Sequence, residues 1–413
     1  MPATNAILTP SVIAKEALML LENNLVMASL VHRGYEEEMK QSVNGYKKGG
    51  VVNVRRPAKY TWRAGATASP QDSVEKSFPV TVNTQGGVDL QFSSSDMTLS
   101  IGDFSNRFLK SAMITVAQQI DSDLARLYRT VWNWVGTPGT QLTTFAGFGR
   151  APQRLTEMAV PAGERMALLS PNDKWGLLGG FTGLFVGDVA KSALTKAKLP
   201  PVGDVDLYES ANVKTHTVGT KAGTPLVNGA SQNTTYAASG ATNSQSLITD
   251  GWTASSAILK RGDVFTIANV FAVNPVSKDV LPYLQQFVVN ADISADGTGN
   301  ATLNISPAII TTGAYQTVSA APADNAAITV LGTASTGYAQ NMVFHKNAFG
   351  LVMVPMEIPS GVPDGKVGRE THNGLSVRLL PYYDGTNDYD NWRLDVLYTA
   401  FPIFPDLACR LNG

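Results

Sequence analysis

The sequence predicts an α+β fold interrupted by an inserted all-β domain, and three observations carry that prediction. One long apolar stripe with helical spacing runs from Leu109 to Val135. Short runs of alternating polarity surround it, separated by Gly, Pro and Asn/Asp turns. Between about residues 217 and 340 the chain turns rich in Thr, Ser, Ala, Gly and Asn, and helical spacing nearly vanishes.

Composition narrows the class. A chain of 413 residues, 44% hydrophobic, can bury one large core or two to three smaller ones. Only 16% of residues are charged, below the usual quarter, and small or uncharged polar residues take their place. That balance suits β-structure and large buried interfaces and is too apolar for disorder. The net charge is −1 and no basic tract extends the pair Arg55 and Arg56, so a specific nucleic-acid grip is not expected. Cys409 is the single cysteine. It excludes an intramolecular disulfide and a cysteine zinc site, fits a reducing cytoplasm, and is expected as a buried thiol. Lys15, Glu16 and Glu22 interrupt any secretory signal, and no run reaches the roughly 18 apolar residues of a membrane span. The sequons at Asn233 and Asn300 are read as chance.

The elements follow in order. Thr9 offers an N-cap and Pro10 a first helical position, predicting a helix over 10–31. Glu36, Glu37 and Glu38 then form a solvated acidic stretch. Val51 to Pro57 begins as a strand and stops at proline. Residues 58–77 read as a two-stranded excursion with a mobile tip and no core of its own. Arg55, Arg56, Lys59, Tyr60, Trp62 and Arg63 are its interface candidates, joined by Glu36 and Glu37. Residues 79–83 and 88–92 alternate around Gly86-Gly87 and predict a hairpin. The long stripe predicts a strut helix over about 103–135, capped by Asp103 or Ser105 and ended by Gly136 and Pro138. Asp121 and Asp123, two residues apart, are read as surface charges.

Residues 165–215 read as α/β: a buried strand at 165–170, a helix from Pro171, a second helix ending near Lys198, and a strand at 200–208. The inserted region offers strands at 263–273, 285–293, 301–305, 315–319 and 326–331. Alternation resumes at 344–356, 375–379 and 392–398, and the last strand runs into Pro402 and Pro405.

No chemistry is legible. His32, His216, His345 and His372 sit at no metal-ligand spacing, and no G-x-S-x-G elbow supports a triad. A phosphate loop before Lys191-Ser192 fails at Phe185 and Ala190. Asp292, Ser294, Asp296 and Gly297 mimic a calcium loop, but Leu303 stands where its glutamate belongs. Asp384, Asn387, Asp388 and Asp390 read as a turn. The expectation is no catalytic, cofactor or metal site, and no enzyme.

The order of parts carries a resemblance. A helical arm, a β-excursion, a strut helix, an α/β lobe with a β-rich insertion, and closing strands are similar to the Hong Kong 97 fold of phage capsid subunits. Val88-Asp89-Leu90-Gln91-Phe92, Asp96-Met97-Thr98-Leu99-Ser100 and Ile120-Asp121-Ser122-Asp123-Leu124 resemble the coat-protein branch of phage P twenty-two. So do residues 203–210, 259–267 and 296–307.

The resemblance implies an N-terminal arm (1–40), an E-loop region (41–78) and a P-domain (79–164) with the spine helix. It further implies an A-domain with closing P-domain strands (165–216 and 341–400), an inserted I-domain (217–340) and a C-terminal segment (401–413). It implies a major capsid subunit in hexamers and pentamers, assembled in the host cytoplasm into an icosahedral head. A scaffolding protein and a portal would be its partners, packaged DNA would be touched only non-specifically, and no membrane or cofactor is involved. Crosslinking is not expected. The arm and the 58–77 loop are expected to lie on neighbouring subunits. The competing reading is a β-rich decoration, tail or cell-surface binding protein, which would suit 217–340 alone.

Overall fold

The computed structural model describes residues 10–35, 42–43, 46–47, 51–56, 58–68, 70–71, 75–93, 108–181, 201–232, 243–359 and 367–413. Glu36, Glu37, the sequon at Asn233 and the second helix expected before Lys198 lie outside them.

The chain begins with helices α1 (Pro10–Asn24) and α2 (Met27–Leu30) and short paired strands β1 (Ser42–Val43) and β2 (Tyr46–Lys47). Strands β3 (Val51–Arg56) and β4 (Lys76–Thr81) pair as a two-stranded ribbon, and β5 (Thr84–Ser93) follows. Helix α3 (Lys110–Ala125) passes into a 3-10 turn, Arg126–Thr130, and then into β6 (Trp134–Val135). Helix α4 (Phe145–Glu157), β7 (Arg165–Leu169), α5 (Pro171–Phe181), β8 (Val205–Glu209) and β9 (Thr215–Thr217) come next. The β-rich stretch holds β10 (Gly223–Val227), β11 (Gln245–Trp252), β12 (Ala257–Leu259), β13 (Val264–Val273), β14 (Val280–Val289), β15 (Ile293–Ser294), β16 (Ala301–Ser306), β17 (Ile328–Val330) and β18 (Gly337–Ala339). The chain then forms β19 (Asn341–His345), β20 (Phe349–Met353), β21 (Gly368–His372), β22 (Leu375–Asp384), β23 (Tyr389–Pro402) and β24 (Ala408–Leu411).

These elements divide into two compact units, one of 1–53, 79–124 and 350–401, the other of 54–78, 125–349 and 402–413. In the first, the sheet runs β20-β23-β22-β21, and β5 pairs along the long β23 from Tyr389↔Ser93 to Tyr398↔Thr84. The expected hairpin around Gly86-Gly87 is therefore not formed. Both glycines lie within β5, and a Cβ on Gly87 would sit 1.9 Å from the Leu394 carbonyl oxygen. The pair serves close strand approach rather than a turn.

Helix α1 lays Ile13, Ala14, Ala17, Leu18 and Leu21 onto its own chain's β21 and β22. This corrects the expectation that the arm helix leaves its own core. The reason is its apolar stripe, which finds a sheet face within the same unit.

The second unit holds two large sheets with separate cores. A mixed sheet of order β6-β24-β19-β7-β8 packs with α4 and α5 around Phe148, Leu155, Leu169, Leu177, Val343 and Cys409. An antiparallel sheet of order β10-β11-β16-β14-β13-β17 surrounds Phe265, Phe287, Leu303, Ile305 and Trp252. Trp132 and Trp134 join this second core from the segment after α3.

The strut helix is shorter than the 103–135 expected from its stripe. Helical structure ends at Thr130, and Val131 is extended. Thr130 to Val135 is β-branched and aromatic apart from Asn133, a run with weak helix preference. Competing backbone partners decide it: the Arg410 N–H donates to Asn133 O at 2.8 Å and the Asn412 N–H to Val135 O at 3.0 Å. Gly136, expected as a helix stop, instead lets β24 approach; at φ +91 it would place a Cβ 1.8 Å from Asn412 O. The strand expected at 315–319 is also absent; one bridge, Ala272 to Val318, replaces it.

Candidate assembly surfaces

The ribbon is the most exposed apolar feature. Between β3 and β4, Trp62 is 94% exposed and Tyr60 57%. The loop is tied to itself. The Thr61 N–H donates to Gln71 Oε1 at 2.8 Å, and Gln71 Nε2 donates back to Thr61 O at 2.7 Å. Arg63 donates to the carbonyls of Gly65 and Thr67. Lower down, Arg55 pairs with Glu75 at 3.7 Å, both largely in solvent, so the pair adds little stability. The Arg56 guanidinium lies 5.3 Å from the Phe78 ring centre. At the root, the Lys59 N–H donates to the Tyr315 hydroxyl at 3.2 Å. Burial and the charge of Lys59 push Lys278 down to about 8, and its ammonium donates to Ala314 O at 2.7 Å. The six ribbon candidates are thus gathered on one excursion.

The arm is held by a group that sequence reading misplaced. Asp121 is buried, not a surface charge. Its carboxylate accepts the Val26 N–H at 2.7 Å and the Ala28 N–H at 2.9 Å, capping α2. Burial raises its pKa, and those backbone donors hold it back. Asp123 accepts the Tyr398 hydroxyl at 2.7 Å. A carboxylate two residues from another on a helix gives no sequence signal of such distant partners.

A buried polar chain lies in the second unit. The Tyr128 hydroxyl meets His216 Nδ1 at 3.1 Å, and His216 Nε2 meets Asp263 Oδ1 at 2.8 Å. Asp263 is fully buried and also accepts from the Gly219 and Lys260 backbone, so His216 Nε2–H is the donor and Nδ1 the acceptor. Burial pushes the imidazole below its ordinary 6.5, the Asp263 hydrogen bond opposes this, and Arg410 and Arg129 add to the fall. Arg410, also fully buried, donates to Gly262 O at 2.8 Å and faces the rings of Tyr128 and Trp134. Burial takes it down to about 9. The arrangement resembles a relay, but Tyr128 and His216 are no more than 3% exposed. It joins β9, the turn just before β13, and β24 to the segment after α3.

The mimics of cation sites are turns. Asp296 Oδ1 accepts from the Thr298 N–H and hydroxyl and the Asn300 N–H, each at 2.8 Å. Asp384 accepts from Thr386 and Asn387, and Asp388 from Tyr383. Among the described residues no cluster of three His, Cys, Asp or Glu is placed to hold a metal. No helix among them is long and apolar enough to cross a membrane.

A strut helix, a mixed sheet, an antiparallel sheet in each unit and an exposed ribbon define the class of phage capsid subunits. The family model described as "P22 coat protein - gene protein 5" matches residues 2–413, and the chain belongs to that family. It is a major capsid structural protein of a tailed phage, with the Hong Kong 97-type α+β fold and an I-domain, and its place is the virion capsid. Capsid proteins of this kind assemble with copies of themselves.

No curated protein sequence matches. Among solved structures, that of Mycobacterium phage Che8 is similar at 12% identity and a TM-score of 0.49, covering 94% of this chain and 91% of that one. The mature capsid of bacteriophage PhiM1 is similar at 13% identity and 0.41, covering 88% and 81%. The CUS-3 coat protein I-domain is 28% identical over 27% of this chain and 98% of its own, at 0.20.

Proposed function

We propose that this subunit builds an icosahedral head of hexamers and pentamers around double-stranded DNA, performs no catalysis and needs no cofactor. A scaffolding protein and a portal assist assembly in the host cytoplasm, and the DNA is touched only non-specifically. Arg55, Arg56, Lys59, Tyr60, Trp62 and Arg63 are the intersubunit contacts, with Glu36 and Glu37 contributing from the arm region. The observation that supports this reading is Trp62, 94% exposed on a loop that bonds chiefly to itself. A subunit in a curved lattice meets neighbours at slightly different angles, and an extended ribbon can bend while its core stays rigid. Many modest contacts acting together then hold the lattice. A decoration or tail protein is disfavoured, because the family match spans residues 2–413 rather than the insertion alone.

The experiment is assembly of Trp62→Ala followed by light scattering and negative-stain microscopy. Loss of closed shells with a soluble, folded subunit is expected; normal shells would sink the ribbon assignment. We also propose 217–340 as a separately folding I-domain. Its core includes Trp132 and Trp134 from outside that range, so the isolated segment is expected to fold with reduced stability. An amide spectrum with random-coil dispersion would overturn this.

A further inference from the structure

Trp62 stands where burial cannot hold it. Every described residue from Lys59 to Pro70 is exposed, and Trp62 is 94% so. A side chain in that position wanders unless something other than packing fixes its backbone. Hydrogen bonds fix it on both sides. Before it, the side-chain amide of Gln71 closes on Thr61. Its Oε1 accepts the Thr61 N–H at 2.8 Å and the Thr61 hydroxyl at 3.1 Å, and its Nε2 donates to Thr61 O at 2.7 Å. A primary amide carries a donor beside an acceptor, as a peptide unit does. Gln71 therefore pairs with Thr61 as a residue of a neighbouring antiparallel strand would. After Trp62, Arg63 Nη1 donates to the carbonyls of Gly65 and Thr67. The chain turns back to receive it at Gly65, whose φ of +93 is a backbone conformation that favours glycine.

We infer that Gln71 is a positioning residue for assembly: it holds the loop in the shape that presents Trp62 to a second copy of this chain. The inference rests on the reading of the ribbon as an intersubunit contact. Both ends of the Gln71 amide are engaged by Thr61, so its part is played inside the loop rather than across the interface. A loop already in its bound shape loses less conformational entropy when the neighbour arrives, and the difference appears as affinity. No contact between Gln71 and the neighbour is needed for that. The same bonds contribute little to the fold of the isolated subunit, because they lie at exposed positions where water competes for each group.

The test compares wild type, Gln71→Ala, Gly65→Ala and Trp62→Ala for the subunit concentration at which shells form. Amide hydrogen exchange at Thr61 is read alongside in the unassembled subunit. Gln71→Ala is expected to raise that concentration about three- to ten-fold, the net worth of a lost hydrogen bond or two. It is also expected to speed exchange at Thr61 and to leave denaturant unfolding unchanged. Gly65→Ala strains the turn without removing a contact, since a Cβ there meets nothing within 4 Å among the described residues. It is expected to raise the concentration in the same direction. Faster exchange at Thr61 with unchanged assembly would overturn the positioning role. So would weaker assembly with unchanged exchange, which would make Gln71 itself a contact with the neighbour. Normal assembly of Trp62→Ala would overturn the ribbon reading and this one with it. Loss of shells in Trp62→Ala beside normal shells in Gln71→Ala would overturn this one alone.

Discussion

The six-stranded sheet and the ribbon β3–β4 are built from the same local pattern, but only the sheet has something to bury. In β16, Ala301, Leu303 and Ile305 point inward while Thr302 and Asn304 face solvent. Phe265 and Phe287 stack at 5.7 Å across β13 and β14. In the ribbon, Val54 and Val80 are buried, and Trp62 is left in water. Alternation therefore states that a strand has two different faces. It does not state whether the second layer comes from the same chain. A two-stranded ribbon is marginal by itself, so its lasting order depends on what later covers it.

Three measurements press on that difference. Phe287→Ala is expected to cost about 3–5 kcal/mol in denaturant unfolding of the unassembled subunit, because a packed aromatic leaves a cavity. A loss under about 1 kcal/mol would mean the sheet is as loosely covered as the ribbon. The next effect is acid sensitivity through His216. Its folded pKa lies below the ordinary 6.5, so the unfolded chain binds the proton more readily. The stability this contributes is present above about 6.5 and falls by up to about 1.4 kcal/mol per pH unit as pH drops below it. His345 is lowered too, also by burial, so His216→Gln should reduce the slope without abolishing it. An unchanged slope would remove the buried relay from the account. The smallest effect is expected for Trp62→Ala, within about 0.5 kcal/mol in the unassembled subunit. A cost above about 2 kcal/mol would show that the ribbon packs on its own chain after all.

How legible these features were depended on where their partners lie. Strands with local alternation, such as β13, β16 and β17, were readable to within a residue or two. So was the buried strand β7, whose five residues are apolar apart from Arg165. The ribbon candidates were legible because aromatic residues stood among turn formers. Strand β11 was missed, since Gln245, Thr249 and Asp250 break its apolar count. Strand β24 was missed because Arg410 sits in a four-residue run and is nonetheless fully buried. The errors at Gly86-Gly87, Asp121 and Thr130–Val135 share one cause. Each local signal was sound, and each was overruled by a partner distant in sequence: β23, α2 and β24. The polar chain of Tyr128, His216, Asp263 and Arg410 runs from residue 128 to residue 410, and no spacing rule reaches that far.

The same distances bear on how the molecule is made. Strand β23 lies between β22 and both β20 and β5. Strand β24 lies between β6 and β19. Neither sheet can close until residues 389–411 have left the ribosome, although β5 and β6 were synthesised some 300 and 275 residues earlier. Pairings this distant fold slowly and expose unsatisfied strand edges in the interval. Until β23 and β24 have been made, β5 and β6 lack the strands they pair with.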